Sequence, residues 1–332
     1  MLSSKTDSMY HGIYSEMRSR NLNNITGGGK APPTFNIDTK MGHHTYRAGG
    51  DHRRCLSMYS FPNITLSPTG RQLFNELNDL FSHDPSVVLF SPSPPSDTSS
   101  PNIWGRLHWT LMQIQGFNSY TPQTSPNANE TFGKCIQTSF QSAPEIHVRL
   151  TGIIAVGTGL VMVGLPSYDV NSLRDTVRES VKSGECPGYD LKEPFVNDIC
   201  HSTVLRLTGD GDGGLAEKVL DIARRYGEAD LGSMKVDRVN VGEASWRMMD
   251  AELEKTPAFW SWKIGGEEEE LTTDESEEDE NVDVKAGGGR TPRTPSGSDD
   301  SQSTSFSESD SETVTPQPAT LRVIRLEDVG WK

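Results

Sequence analysis

Long apolar runs are scarce in this chain of 332 residues. Nothing in it reaches the roughly 20 consecutive apolar residues that a membrane-crossing helix needs. The best stretch, Gly152 to Pro166, is broken by Gly157, Gly159 and Gly164. The first residues hold no apolar core of a secretory signal. The expectation is a soluble intracellular protein, cytoplasmic or nuclear, with no membrane partner. An acid-poor start containing Ser and Arg leaves organelle targeting open. Cysteine is scarce too: Cys55, Cys135, Cys186 and Cys200 are all there are, and no two form a CxxC pair. That argues against a zinc ribbon. Four cysteines in so long a chain do not suggest a disulfide scaffold, so reduced thiols are expected. Basic residues are in deficit, with a net charge of −15. A broad cationic surface for gripping nucleic acid is therefore not expected.

Only 33% of the residues are hydrophobic, and the shortage lies at the two ends. Residues 1–54 are polar, with Gly27-Gly-Gly29 and Ala31-Pro-Pro33, and read as an unstructured N-terminal arm. Residues 265–320 form an acidic, Ser/Thr/Pro-rich tail that cannot bury enough apolar surface to fold, and could engage a protein partner. Residues 321–332 open with the alternating Leu321-Arg-Val-Ile-Arg-Leu326 and read as a short strand-like segment. That leaves residues 55–264 as the folded domain. Within it, Leu73, Leu77, Leu80 and Phe81 recur at helical spacing behind Ser67-Pro68. Ile146, Val148 and Leu150 alternate as a strand. Gly152–Val156 and Leu160–Gly164 flank a tight turn, as in a hairpin. Leu173, Val177 and Val181 mark one helix, and Gly214–Tyr226, stopped by Gly227, marks another. Residues 231–241 alternate with one slip. Residues 132–141 give no clear period.

Two tripeptides stand out: His108-Trp109-Thr110 and His201-Ser202-Thr203, 93 residues apart, each inside an apolar strand-like run. Side chains two apart on a strand share a face, so each His shares a face with its Thr. Two imidazoles and two hydroxyls in one cleft would suit chemistry on a phosphodiester. A neutral imidazole can take a proton from an attacking water while a protonated one gives a proton to the leaving oxygen. The hydroxyls can donate to the non-bridging oxygens. Trp104 and Trp246 are candidates for stacking a base, with core packing the favoured reading. Gly209-Asp-Gly-Asp-Gly-Gly214 has neither the distal ligands of a calcium loop nor the Lys-Ser/Thr of a phosphate loop, and reads as a turn.

At His108-Trp109-Thr110-Leu111 and His201-Ser202-Thr203-Val204 the sequence resembles the 2H phosphoesterase superfamily, which carries two His-h-[Ser/Thr]-h motifs, one per lobe. Ser202 stands where an apolar residue is usual, at a position facing away from the cleft. The resemblance covers roughly residues 55–250. It implies an α+β, bilobal, pseudo-symmetric fold with two antiparallel sheets flanked by helices around a central cleft. It further implies His108 and His201 as catalytic residues, Thr110 and Thr203 as phosphate ligands, and no metal or other cofactor. The expected substrate is a 2′,3′-cyclic nucleotide, an RNA end or a 2′-5′ linkage. A non-catalytic nucleotide- or RNA-binding module on the same fold is the alternative.

Overall fold

The computed structural model of the chain describes residues 4–30, 32–37, 55–93, 103–116, 128–141, 143–186, 189–193, 199–209, 211, 214–244 and 260–265. The acidic tail and the 321–332 segment lie outside these residues. Among the described residues, no helix is long and apolar enough to cross a membrane.

Two sheets organise the fold. The smaller has the order β11-β10-β1-β5, built from Trp260–Lys263, Arg238–Ala244, Cys55–Ser60 and Trp109–Gln115. The larger has the order β2-β9-β6-β7-β8-β3-β4, built from Asn63–Leu66, Gly232–Val236, Ile146–Val156, Gly159–Pro166, His201–Leu207, Val87–Ser91 and Ile103–Arg106. Among these strands every pairing is antiparallel except β3 with β4, which is parallel. The class is α+β with two sheets, as the sequence resemblance implies. Each sheet draws strands from both halves of the chain.

Helices α1 (Ser4–Thr26), α2 (Pro68–Phe81) and α5 (Leu215–Arg225) pack on the large sheet. Helix α4 (Val170–Lys182) packs on β5 and on α3 (Ala128–Phe140), which in turn meets β11. Their boundaries follow ordinary capping chemistry. Ser67 Oγ accepts from Gly70 N at 2.9 Å, with Pro68 in the first turn of α2. Asp169 caps α4 by accepting from the amides of Asn171 and Ser172. In α2 the buried stripe is Leu73, Leu77 and Phe81, while Leu80 falls just off it and is exposed. The unclear stretch 132–141 belongs to α3, which buries Phe132, Ile136 and Phe140 at successive turns.

Two expectations need correction. The N-terminal arm is not unstructured where it is described: Ser4–Thr26 is helical, and Tyr10, Tyr14 and Met17 sink into the core. The Tyr14 hydroxyl donates to the Gly164 carbonyl at 2.7 Å and accepts from Cys200 N at 3.2 Å. Asn21 donates to the Ala155 carbonyl at 3.0 Å. These bonds tie α1 to β6 and to the β7–β8 junction. The cysteines are not all reduced either. Cys135 and Cys186 form a disulfide with Cα atoms 5.2 Å apart, while Cys55 and Cys200 are buried thiols.

The disulfide joins α3 to the strap that follows α4. Closing a loop with 51 residues of separation restricts the unfolded chain by an amount on the order of 3–4 kcal/mol. Reduction, or Cys135→Ser, should therefore lower the melting temperature by about 6–16 °C. Scanning calorimetry with and without reductant checks this, and unchanged melting would mean that the bond does not constrain the fold.

Candidate functional site

Strand register brings the two histidines to the same end of the large sheet. In β3 and β8, Leu89 pairs with Leu205 and the strands run oppositely, so the Ser91 end of β3 lies toward the start of β8. In β3 and β4, Ser91 pairs with Arg106 in parallel. The chain then leaves the large sheet, with Leu107 N donating to the Ser91 carbonyl at 2.9 Å. His108 follows immediately, one residue before β5 begins in the small sheet. It sits where the polypeptide crosses from one sheet to the other, at the end of the large sheet where β8 opens with His201.

Burial alternates through the second motif but not through the first, where His108 and Trp109 are both buried. Trp109 and Ser202 are buried, whereas Thr110, His201 and Thr203 are half-buried, and His108 is 9% exposed. The His108 ring lies edge-on to Phe90 at 6.2 Å between centroids. Its Nδ1 is 3.3 Å from the Arg106 carbonyl, so Nδ1 carries the hydrogen and Nε2 is the atom left to exchange a proton. Among the described residues His201 Nδ1 has no hydrogen-bond partner.

Two arginines that periodicity does not single out hold and charge this arrangement. Arg174 in α4 is 1% exposed. Its Nε donates to the Leu111 carbonyl of β5 at 2.6 Å, its Nη2 to the Ile199 carbonyl just before β8 at 2.9 Å, and its Nη1 to Asn171. One guanidinium thus bridges the two histidine-bearing segments. In sequence it reads as a polar neighbour of Leu173.

Arg206 arrives by a different route. Strict alternation from His201 and Thr203 would put Leu205 on their face and Arg206 on the other. However, Val161 pairs with Thr203 and Leu160 pairs with Leu205, so Val204 is an extra residue in the ladder. Directly paired residues share a face, and Val161 and Leu160 face opposite ways. Thr203 and Leu205 are therefore on opposite faces, and Arg206 shares the face of His201 and Thr203. Bulges re-aim side chains in this way beside functional sites. The glycine paired with Arg206 is Gly159, at φ 150°, where a Cβ would come within 2.1 Å of the Leu205 carbonyl oxygen. Close approach of the two strands needs that small residue.

The electrostatics agree with the placement. Burial pushes His108 from 6.5 down to about 4; the Arg106 carbonyl opposes the shift and Arg206 adds to it. Burial also takes His201 down to about 4, reinforced by Arg174, by His108 and by Arg206. His108 bears on His201, and Arg206 acts on both. In the free protein both rings are neutral near pH 7, in a positive field that favours an anion.

Trp104 lies in β4, but its side chain is outside the described residues, as is Trp246 entirely. Thr203 lies two residues after His201 on β8, Thr110 follows His108 at the start of β5, and the charge of Arg206 reaches both histidines.

No family model and no curated protein matches the chain. Among solved structures it is similar to TT0787 of Thermus thermophilus, at 14% identity and a TM-score of 0.34, over 64% of this chain and 100% of that one. It is also similar to Usb1 of Kluyveromyces marxianus, at 12% identity and a TM-score of 0.33, over 58% and 94%. A structure of that Usb1 with uridine monophosphate gives 11% identity and a TM-score of 0.32, over 57% and 94%.

The depressed histidines make stability depend on acid. Between pH 6.5 and about 4 the unfolded chain binds protons at these positions and the folded chain does not. Stability should therefore fall as pH drops through that window. His108→Gln and His201→Gln should each flatten the fall in melting temperature, and slopes identical to wild type would contradict the burial of the rings. The described residues thus carry His201 at the start of β8 and His108 at the entry to β5, in an α+β fold of two sheets.

Proposed function

We propose that the chain is a phosphodiesterase that opens a 2′,3′-cyclic phosphate on a nucleotide or RNA end, or cleaves a 2′-5′ linkage. His108 and His201 act as the general acid–base pair. What supports this reading is that Arg174 bonds both the strand that follows His108 and the residues just before His201, while Arg206 bears electrostatically on both rings. In-line displacement at phosphorus needs one group to take a proton from water and another, across the phosphorus, to protonate the leaving ribose oxygen. Two imidazoles from two sheets can flank the phosphorus in that way. Thr110 and Thr203 supply hydroxyls to the non-bridging oxygens, and Arg206 supplies charge where it builds up in the transition state.

Proton supply follows from the same field. With both rings near 4, the free cleft holds little imidazolium at neutral pH. A bound phosphodiester puts negative charge beside them and raises both values. Substrate thus brings about the protonation of its own acid catalyst. Because kcat/KM reports the free enzyme and kcat the complex, kcat/KM should decline as pH rises above about 5, while kcat persists to higher pH. Superimposable profiles would contradict this mechanism.

The direct test is a panel of cyclic and 2′-5′ phosphodiesters read by mass spectrometry. His108→Ala and His201→Ala should each lower turnover by at least about 10²-fold, and Thr110→Val or Thr203→Val by about 10²-fold. EDTA should leave the rate unchanged. Turnover that survives loss of either histidine would refute the assignment. Ligand binding with no product across the panel would favour a non-catalytic module instead.

A further inference from the structure

The small sheet offers a surface beside His108 that neither motif predicts. In β1 and β5, Tyr59 pairs with Thr110 and Ser60 with Trp109. Continuing that ladder by one residue sets Phe61 across from His108. Phe61 and His108 are the next residues beyond the last pair of the ladder, so both lie at the same end of the β1–β5 pair. The face is right as well. Tyr59 shares the face of its pair Thr110, and the Phe61 ring packs against the Tyr59 ring two residues on.

Phe61 is not sealed in the core. It is half-buried, its ring edge-on to Tyr59 at 5.6 Å between centroids. The Arg106 guanidinium carbon lies 4.9 Å from the centre of the Phe61 ring. Arg106 is also the residue whose carbonyl takes the His108 Nδ1 hydrogen. An aromatic ring, a guanidinium plane and a proton-carrying imidazole therefore occupy three neighbouring places, two of them able to stack. A planar aromatic base is the group that such a pair recognises, because stacking on Phe and on Arg is sequence-tolerant and needs no hydrogen-bond code.

We propose that Phe61, backed by Arg106, is the nucleobase-stacking residue of the cleft, holding the base of the nucleotide whose phosphate lies between His108 and His201. This rests on the phosphodiesterase reading. It makes the substrate a nucleotide rather than any cyclic phosphate, and it places the base on the small-sheet side.

The test compares adenosine 2′,3′-cyclic phosphate with glycerol 1,2-cyclic phosphate, which carries the same ring phosphate and no base. In Phe61→Ala, KM for the nucleotide should rise about tenfold or more, with kcat nearly unchanged. The glycerol compound should be handled as by wild type, and Phe61→Trp should restore the nucleotide KM. Equal losses on both compounds, or none on either, would overturn the proposal and leave Phe61 a packing residue. If wild type cleaves neither compound, the phosphodiesterase reading fails separately. Calorimetric titration with adenosine 3′-monophosphate and with inorganic phosphate then decides the stacking. Affinity for the nucleotide that depends on Phe61 sustains it, and affinity independent of Phe61, or no binding, ends it.

Discussion

One buried guanidinium holds the candidate cleft together. Arg174 spends its donors on the carbonyls of Leu111 and Ile199, in the two segments that lead to Thr110 and His201, and on the Asn171 side chain. A charge taken out of water is costly unless its donors are matched, and here they are. Removing it would take a charged donor from a carbonyl of β5 and from one just before β8. The strap after α4 reinforces the junction. Gln115 donates to the Asp190 carbonyl, Lys192 N to the Ile114 carbonyl, and Arg178 forms a two-pronged pair with Glu193. The Tyr14 hydroxyl fixes the backbone of Cys200 from the opposite chain terminus. Contacts from distant parts of the sequence thus converge on the residue just before His201.

The same positive charge that organises the cleft also sets its chemistry. Arg174 and Arg206 help burial to keep His201 neutral, and His108 does likewise from across the sheets. A cleft of this kind is poised against imidazolium until an anion enters. Arg174 therefore serves both geometry and protonation: it bonds the segments beside both histidines and helps to hold His201 neutral.

Much of this was legible in the residues. Alternation located β6 and β8, and helical spacing located α2, α4 and α5, because each buries one clean face. The two His-x-Thr motifs stood out for the same reason. What stayed hidden depended on partners that are remote in sequence. Tyr10, Tyr14 and Met17 do recur at helical spacing, but Gly- and Asn-rich surroundings mask them; the helix is held by a sheet more than a hundred residues downstream. The Cys135–Cys186 bond gives no local sign. Arg206 was misdirected by alternation itself, since only the bulge at Val204 turns it toward the histidines. Phe61 gains meaning only when the β1–β5 register sets it against His108.

The central claim is that His108 and His201 face one anion-binding cleft. Nitrogen-15 NMR of the imidazoles, followed as pH is varied with and without adenosine 3′-monophosphate, tests it most directly. The account predicts that both rings titrate near pH 4 in the free protein and that both midpoints move upward together when the phosphate binds. If the nucleotide shifts one ring and leaves the other untouched, or shifts neither, the two histidines do not share a site.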